Sequence, residues 1–124
     1  MISVIYLATL LSVTDGDTFK ARVPIWQGIE VTTAVRIQGV DTPELRGKCE
    51  HEKFIAGKAK DALSEILNSG KAITLHNVDD DKYSGRVSAQ VFVDGESVAD
   101  KLIKRGLARP YEGGKRSGWC NLGG

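Results

Sequence analysis

The fold is decided by residues 31–44, which read VTTAVRIQGVDTPE and contain an abrupt change of pattern. Every second residue from 31 to 37 lies on one face of a strand, and this face carries Val31, Thr33, Val35 and Ile37. This alternation puts Arg36 on the opposite face. The polar stretch at 41–44 then interrupts the pattern. The sequence therefore predicts a strand at Val31–Val40 that ends in a cluster of charged and turn-forming residues.

The sequence on either side predicts four more strands and two helices. Apolar residues from Glu50 to Leu67 change to a helical period, with a stripe of Ile55, Ala59, Ala62, Leu63 and Ile66. The other predicted elements are strands at Tyr6–Val13, Thr18–Val23, Ala72–Val78 and Arg86–Val93, a hairpin turn at 15–18, an Asp94-Gly95 turn, loops at Pro24–Gly28 and Asp79–Gly85, and a helix that starts at the capping box Ser97–Asp100 and ends at Arg105. This order predicts an α+β domain, a five-stranded OB-fold barrel with two or three packed α-helices.

Length and composition favour a single globular domain over 1–124, with its core at about 6–111 and a Gly-rich tail at 112–124. The chain has 124 residues, of which 41% are hydrophobic and 27% charged, which argues against disorder. Seventeen basic and sixteen acidic residues give a net charge of +1, which excludes a histone-like basic tail but allows a local basic cleft. No apolar run approaches the roughly 20 residues that span a bilayer. Met1–Leu11 lacks a basic region and a clear cleavage site, so we interpret it as leading into the first strand.

The two cysteines, Cys49 and Cys120, leave three interpretations open. They can be free thiols in a reducing compartment, or a disulfide in an oxidising one. Together with His51 they could also contribute to a zinc site, although neither cysteine lies in a CxxC pair. Sequence spacing alone does not choose among these.

The candidate functional residues become informative when the predicted strands are combined. Taken singly, Asp17 lies in an ordinary turn and Glu44 near an ordinary helix start. In a small barrel, however, Asp17, Arg36, Asp41, Glu44 and Arg86 can converge on one cleft. Oxygen ligands such as carboxylates suit Ca²⁺ or Mg²⁺, and paired guanidiniums suit a phosphoryl group. A further carboxylate can deprotonate water, so the set has the parts that phosphodiester hydrolysis needs.

Three blocks of this sequence resemble the staphylococcal nuclease family, the thermonucleases. The blocks are VTDGDT at 13–18, VRIQGVDTPE at 35–44 and DKYSGR at 81–86, and a weaker one covers 102–108. The resemblance spans about residues 6–111. The third block carries an additional Ser84. The family fold is an OB barrel with packed helices, in agreement with the predicted order of elements.

The resemblance implies a role for each matching residue. Asp17 and Asp41 are similar to the family's Ca²⁺ ligands, and Thr42 would offer its backbone carbonyl to the metal. Glu44 resembles the general base. Arg36 and Arg86 resemble the pair that stabilises the transition state. Lys82, Tyr83 and Tyr111 match substrate-binding positions.

The implied activity is Ca²⁺-dependent endonucleolytic hydrolysis of DNA and RNA that leaves 3′-phosphate ends. The expected protein is a monomer with nucleic acid as substrate, no membrane span and no obligate protein partner. This chain lacks the family's third helix pattern after residue 111, and our hypothesis is that a Cys49–Cys120 disulfide holds the tail instead. A secreted or periplasmic location agrees with the family and the cysteine pair, and an intracellular role stays open.

Two alternatives compete with the nuclease interpretation. The first is a catalytically silent OB-fold module that binds single-stranded nucleic acid, and the second is an OB domain used for protein interaction. A binding module would not need Arg36, Glu44 and Arg86 together. For the aromatic residues, we expect Phe19, Phe54 and Phe92 in the core, and Trp26 and Trp119 packed against the protein rather than against substrate.

Overall fold

The computed structural model describes residues 4–81, 85–114 and 118–120 of the chain. Its elements follow in the order β1 (Tyr6–Asp15), β2 (Thr18–Trp26), β3 (Ile29–Ile37), β4 (Val40–Asp41), α1 (Glu50–Leu67), β5 (Ile73–Asp80), β6 (Arg86–Val93), β7 (Glu96–Ser97), α2 (Val98–Lys104) and β8 (Arg109–Pro110). Both helices in this part of the chain are among those the sequence predicted.

Five strands close into a mixed barrel. Strands β1, β2 and β3 form an antiparallel meander, and β1 also pairs with β5, which pairs with β6. The barrel closes where β3 runs parallel to β6, with Arg36 opposite Ser88. Five closed strands with a helix between the third and fourth long strands confirm the predicted OB-fold class.

The core lies inside the barrel and under α1. Phe19, Val35 and Ile37 point inward from the strands and are fully buried, as are Leu63 and Leu102 from the two helices. The side chain of Ser97 accepts a hydrogen bond from the amide of Asp100, as the predicted capping box requires. Period-two strands and a helical stripe therefore bury their apolar faces against each other, and the charged face of β3 remains available for the cleft.

The structure corrects several predicted boundaries, among them the start of the loop at Asp79–Gly85, because β5 continues to Asp80. The predicted loop at Pro24–Gly28 is wrong, because β2 continues to Trp26 and forms a hairpin with β3. The predicted strand Val31–Val40 is broken at Gly39, which has a φ of +87°. A residue without a Cβ takes that angle without strain, and the resulting turn starts the short strand β4.

Two of the predicted core residues are exposed. Phe54 is 63% exposed, on the charged side of α1, where the Lys58 ammonium lies 4.9 Å from its ring centroid. Trp26 is 75% exposed at the β2–β3 hairpin, so the prediction that it packs is wrong. Trp119 is buried as predicted, and Phe19 is fully buried.

The tail is attached to the start of α1. Cys49 and Cys120 are joined in a disulfide with their Cα atoms 5.9 Å apart, across 71 positions of sequence. Cys49 is also the N-cap of α1, with its sulfur 3.4 Å from the Glu52 amide. The bond therefore places residues 118–120 beside the segment that joins β4 to α1. In the described ranges, neither helix combines the length and apolarity that a membrane crossing requires.

Candidate active site

An open cleft of about 1150 Å³ collects most of the predicted functional residues. The β1–β2 turn, the face of β3 that carries Arg36, the segment after β4, the start of β6 and residues 111–114 all contribute to its lining. The predicted site residues among them are Asp17, Arg36, Thr42, Glu44, Arg86 and Tyr111.

Asp17 is fixed by the turn that the Asp-Gly pair forms. Its amide donates to the Asp15 carboxylate at 3.1 Å, and its own carboxylate accepts from the Thr18 hydroxyl at 2.9 Å. The Asp17 carboxylate also lies 3.7 Å from the guanidinium of Arg36, which is held on β3 opposite Thr18. Two strands that pair in register thus hold a carboxylate beside a cation.

The pKa of Asp17 is raised from 3.8 to about 6. Burial is the largest cause, and the hydrogen bond and negative charge of Asp15 add to it. Arg36 and Thr18 oppose the increase but do not cancel it. A bound cation would relieve this arrangement, in which a buried carboxylate that resists ionisation lies beside a second carboxylate.

Asp17 should make the stability of the metal-free protein depend on pH. Between about pH 4 and 6 the unfolded chain ionises Asp17 before the folded chain does, so the free energy of unfolding decreases as pH rises. Asp17→Asn removes this titration. As the pH rises from 4 to 7 in chelator, the free energy of unfolding of wild type should fall by on the order of 2 kcal/mol relative to that of the variant. Urea denaturation at both pH values measures this, and a difference that does not change with pH would contradict the assignment.

The turn is placed by a close approach at Gly16. A Cβ at this position would lie 2.7 Å from the Ala59 Cβ and 3.2 Å from the Thr42 Cβ, so only glycine lets the turn pack on α1. Gly16→Ala should therefore destabilise the protein by about 1–3 kcal/mol. Gly57→Ala is the matched control, because a Cβ there meets nothing within 4 Å and alanine favours the helix. Equal stability of Gly16→Ala and wild type in urea denaturation would refute the close approach.

Arg86 is held at the start of β6 by a carboxylate. The Asp81 side chain accepts from its Nε, and the Asp81 amide donates to its carbonyl at 3.3 Å. The sequence places Asp81 in the predicted loop Asp79–Gly85. The structure instead makes it a support for Arg86, a role signalled by its place in the same sequence block.

Glu44 is held through its backbone by a buried carboxylate. Its amide donates to the carboxylate of Glu52 at 3.1 Å, and the amide of Lys48 donates to the other oxygen of Glu52 at 3.1 Å. Glu52 is 7% exposed, in the first turn of α1. This buried carboxylate fixes both ends of the loop that carries Glu44, and sequence analysis missed it because an acidic residue in a first turn is common.

Asp41 lies beneath the cleft rather than in its lining. It is 2% exposed on β4, and its Oδ2 accepts a hydrogen bond from Nε1 of Trp119 at 3.2 Å. Thr42, the next residue, is equally buried and reaches the cleft. The structure therefore places two of the three predicted metal ligands at the cleft and the third directly behind it.

The predicted substrate-binding residues are only partly described. The amide of Tyr111 donates to the Gly39 carbonyl at 2.8 Å, and its hydroxyl donates to the Gly114 carbonyl at 2.7 Å, so its ring is fixed at the edge of the cleft. Lys82 and Tyr83 lie outside the described residues.

The charge of the cleft suits a divalent cation. Its described lining contains six acidic residues and three arginines, listed as Asp15, Asp17, Glu44, Asp80, Asp81, Glu112, Arg36, Arg46 and Arg86. It contains neither cysteine nor histidine, so its donors are oxygens, which Ca²⁺ and Mg²⁺ prefer. In residues 4–81, 85–114 and 118–120 no three His, Cys, Asp or Glu side chains form a ready-made metal cluster. The residues fit a cation held by few carboxylates, backbone oxygen and water.

Comparison with known proteins agrees with this arrangement. The sequence model described as "Staphylococcal nuclease homologue" matches residues 34–118, more than half of the chain. The chain belongs to the staphylococcal nuclease family. The match contains Arg36, Thr42, Glu44, Arg86 and Tyr111, five of the six predicted site residues in the cleft lining.

Curated relatives carry names of the same kind. The chain is 41% identical over 103 residues to "Endonuclease YncB" of Bacillus subtilis (strain 168), covering 82% of this chain and 46% of that protein. It is 40% identical over 103 residues to "SPbeta prophage-derived endonuclease YokF" of the same organism, covering 82% and 33%. It is 31% identical over 99 residues to "Probable staphylococcal-like nuclease CAN1" of Oryza sativa subsp. japonica, covering 77% and 28%. The chain thus spans less than half the length of these relatives.

Proposed function

We propose that this protein is an endonuclease that hydrolyses phosphodiester bonds of DNA and RNA with the help of Ca²⁺. The observation that carries the proposal is the convergence of Asp17, Arg36, Glu44 and Arg86, from four separate parts of the chain, on one cleft. The names of the relatives in the same family support it. The paired cysteines support an oxidising compartment, and we propose export on that ground.

In the proposed reaction, the Glu44 carboxylate accepts a proton from the attacking water. The water oxygen bonds to phosphorus, and the bond from phosphorus to the 5′ oxygen breaks. Arg36 and Arg86 donate hydrogen bonds to the phosphoryl oxygens as negative charge increases on them. The departing 5′ oxygen takes up a proton from solvent water, Glu44 returns its proton to the solvent, and the phosphate stays on the 3′ oxygen.

The residues that would hold Ca²⁺ are Asp17, Asp41 and the carbonyl of Thr42. When bound, the cation supplies positive charge to a phosphoryl oxygen. Ca²⁺ also offsets the excess of carboxylates in the lining, which would otherwise repel a phosphodiester. The raised pKa of Asp17 means that protons compete with the cation below about pH 6.

The competing proposal is a silent OB-fold module that binds single-stranded nucleic acid. One experiment separates the two: wild-type protein is incubated with end-labelled single-stranded DNA, double-stranded DNA and RNA in Ca²⁺, in Mg²⁺ and in chelator. We expect Ca²⁺-dependent cleavage that leaves 3′-phosphate ends. Such ends are identified because a polymerase extends them only after a phosphatase has removed the phosphate. Salt-sensitive binding without cleavage under any metal would favour the silent module instead.

A further inference from the structure

Trp119 makes a buried contact that neither the cleft nor the family match explains. Its ring is 5% exposed, and its Nε1 donates to Oδ2 of Asp41, which is 78 positions away in sequence. Asp41 is itself 2% exposed. The contact is therefore shielded from water, where a hydrogen bond to a carboxylate is strong and its geometry is restrictive.

Arg109 holds this tryptophan in place from one side. Arg109 pairs with Asp41 in the β4–β8 ladder, so its backbone is in register with the carboxylate. Its guanidinium lies 3.8 Å from the centroid of the Trp119 ring and donates to the Gly118 carbonyl at 2.8 Å. A cation over an indole face and a charged hydrogen bond together fix the ring.

The disulfide holds the tryptophan from the other side. Cys120 follows Trp119 directly and is bonded to Cys49, the N-cap of α1. Tail residues 118–120 are therefore attached at each of their three positions, and the attachment points flank the Asp41–Thr42 segment. Three attachments are more than a surface tail needs to stay in place. They suit a tail that must hold the Trp119 side chain at a fixed orientation.

We propose that Trp119 is a positioning residue that orients the Asp41 carboxylate for cation binding, and that Arg109 and the Cys49–Cys120 bond hold it there. The inference rests on the proposed function, because it assumes that Asp41 is a cation ligand. The hydrogen bond from the indole to Oδ2 restricts rotation of the carboxylate. Less of the free energy of cation binding is then spent on ordering this carboxylate. Hydrogen bonds of this kind around a metal ligand typically contribute 10- to 100-fold in affinity.

Two effects of the indole oppose each other. The N–H draws negative charge from the carboxylate, which weakens its attraction for a cation, and it also fixes the orientation of the carboxylate. Because Asp41 is buried and comes from a two-residue strand, we expect orientation to dominate. Losing the donor should therefore weaken cation binding.

Trp119→Phe tests the proposal, since phenylalanine keeps an aromatic ring against Arg109 but removes the donor, together with part of the ring system. Trp26→Phe is the matched control at an exposed position outside the cleft. Isothermal titration calorimetry with Ca²⁺ should show a dissociation constant about 10-fold higher for Trp119→Phe and unchanged for Trp26→Phe. In cleavage assays, the Trp119→Phe defect should be recovered at high Ca²⁺, as a loss of affinity predicts and a loss of catalytic groups does not.

A second variant keeps the test valid if Trp119→Phe fails to fold. Cys49→Ser combined with Cys120→Ser releases the tail but retains a serine N-cap on α1, and it should also raise the Ca²⁺ dissociation constant. Ca²⁺ affinity equal to wild type in a folded variant of either kind would overturn the positioning role alone. A wild-type protein that shows neither Ca²⁺ binding heat nor an increase in thermal stability with Ca²⁺ would overturn both this role and the proposed Ca²⁺ site.

Discussion

Replacing Glu44 with glutamine is expected to reduce the rate of phosphodiester cleavage by about 100- to 10,000-fold at saturating Ca²⁺ and substrate. Glutamine has the same shape but cannot accept a proton from water. The loop should keep its conformation, because Glu52 holds it through the backbone amides of Glu44 and Lys48. The loss should therefore occur in kcat, measured in single-turnover assays, with little change in thermal stability.

Glu50→Gln is the matched control for this prediction. Glu50 lies in the first turn of α1, its side chain is 93% exposed, and its ion pair is with Lys53, away from the cleft. It undergoes the same chemical change and should cleave at the wild-type rate. Near-normal cleavage by Glu44→Gln would show that another group takes the proton.

Replacing Arg86 with alanine is expected to lower the cleavage rate by about 100- to 1,000-fold, the usual cost of removing one preorganised donor to a developing anion. Arg86 is a better choice than Arg36 for this test. Arg36 lies 3.7 Å from Asp17 and lowers its pKa, so its removal would disturb the proposed cation site as well. Rates are measured at saturating Ca²⁺ to separate charge stabilisation from cation binding.

Arg86→Lys and Arg22→Ala complete the series. Lysine keeps the positive charge but not the planar fork, so we expect it to restore only part of the lost rate. Arg22 is a partly exposed arginine on β2 that pairs with Glu30, and its replacement should leave the rate unchanged. A wild-type rate for Arg86→Ala would show that Arg86 has no part in the mechanism. This conclusion would not depend on the result for Glu44→Gln.

Much of the fold could be predicted from local patterns. The bounds of α1 agree with the structure, because its apolar stripe from Ile55 to Ile66 has the period of a helix. The Asp94-Gly95 turn was predictable because both residues adopt positive φ, at 50° and 86°. The prediction that Phe54 lies in the core was wrong, because a position in a helix need not be on its buried face. It shares its side of α1 with Lys58 and faces solvent.

The cleft residues were predictable where the period of a strand fixes the face to which a side chain points. Arg36 alternates with Val35 and Ile37, so burial of the latter two sends Arg36 to the cleft side. The contact between Asp41 and Trp119 could not be predicted, because a Gly-rich tail has no period and 78 positions separate the pair. The raised pKa of Asp17 depends on burial and on the Asp15 side chain, which only the folded turn brings together.

We propose that this cleft hydrolyses a phosphodiester with Glu44 as the general base and with the help of a bound cation. The most direct measurement is single-turnover cleavage of end-labelled single-stranded DNA as Ca²⁺ is added to chelator-treated protein, with wild type and Glu44→Gln side by side. We predict that the wild-type rate rises with Ca²⁺ to a plateau and that the variant stays at least 100-fold below it. Equal rates for the two proteins, or a wild-type rate that does not respond to Ca²⁺, would contradict the account.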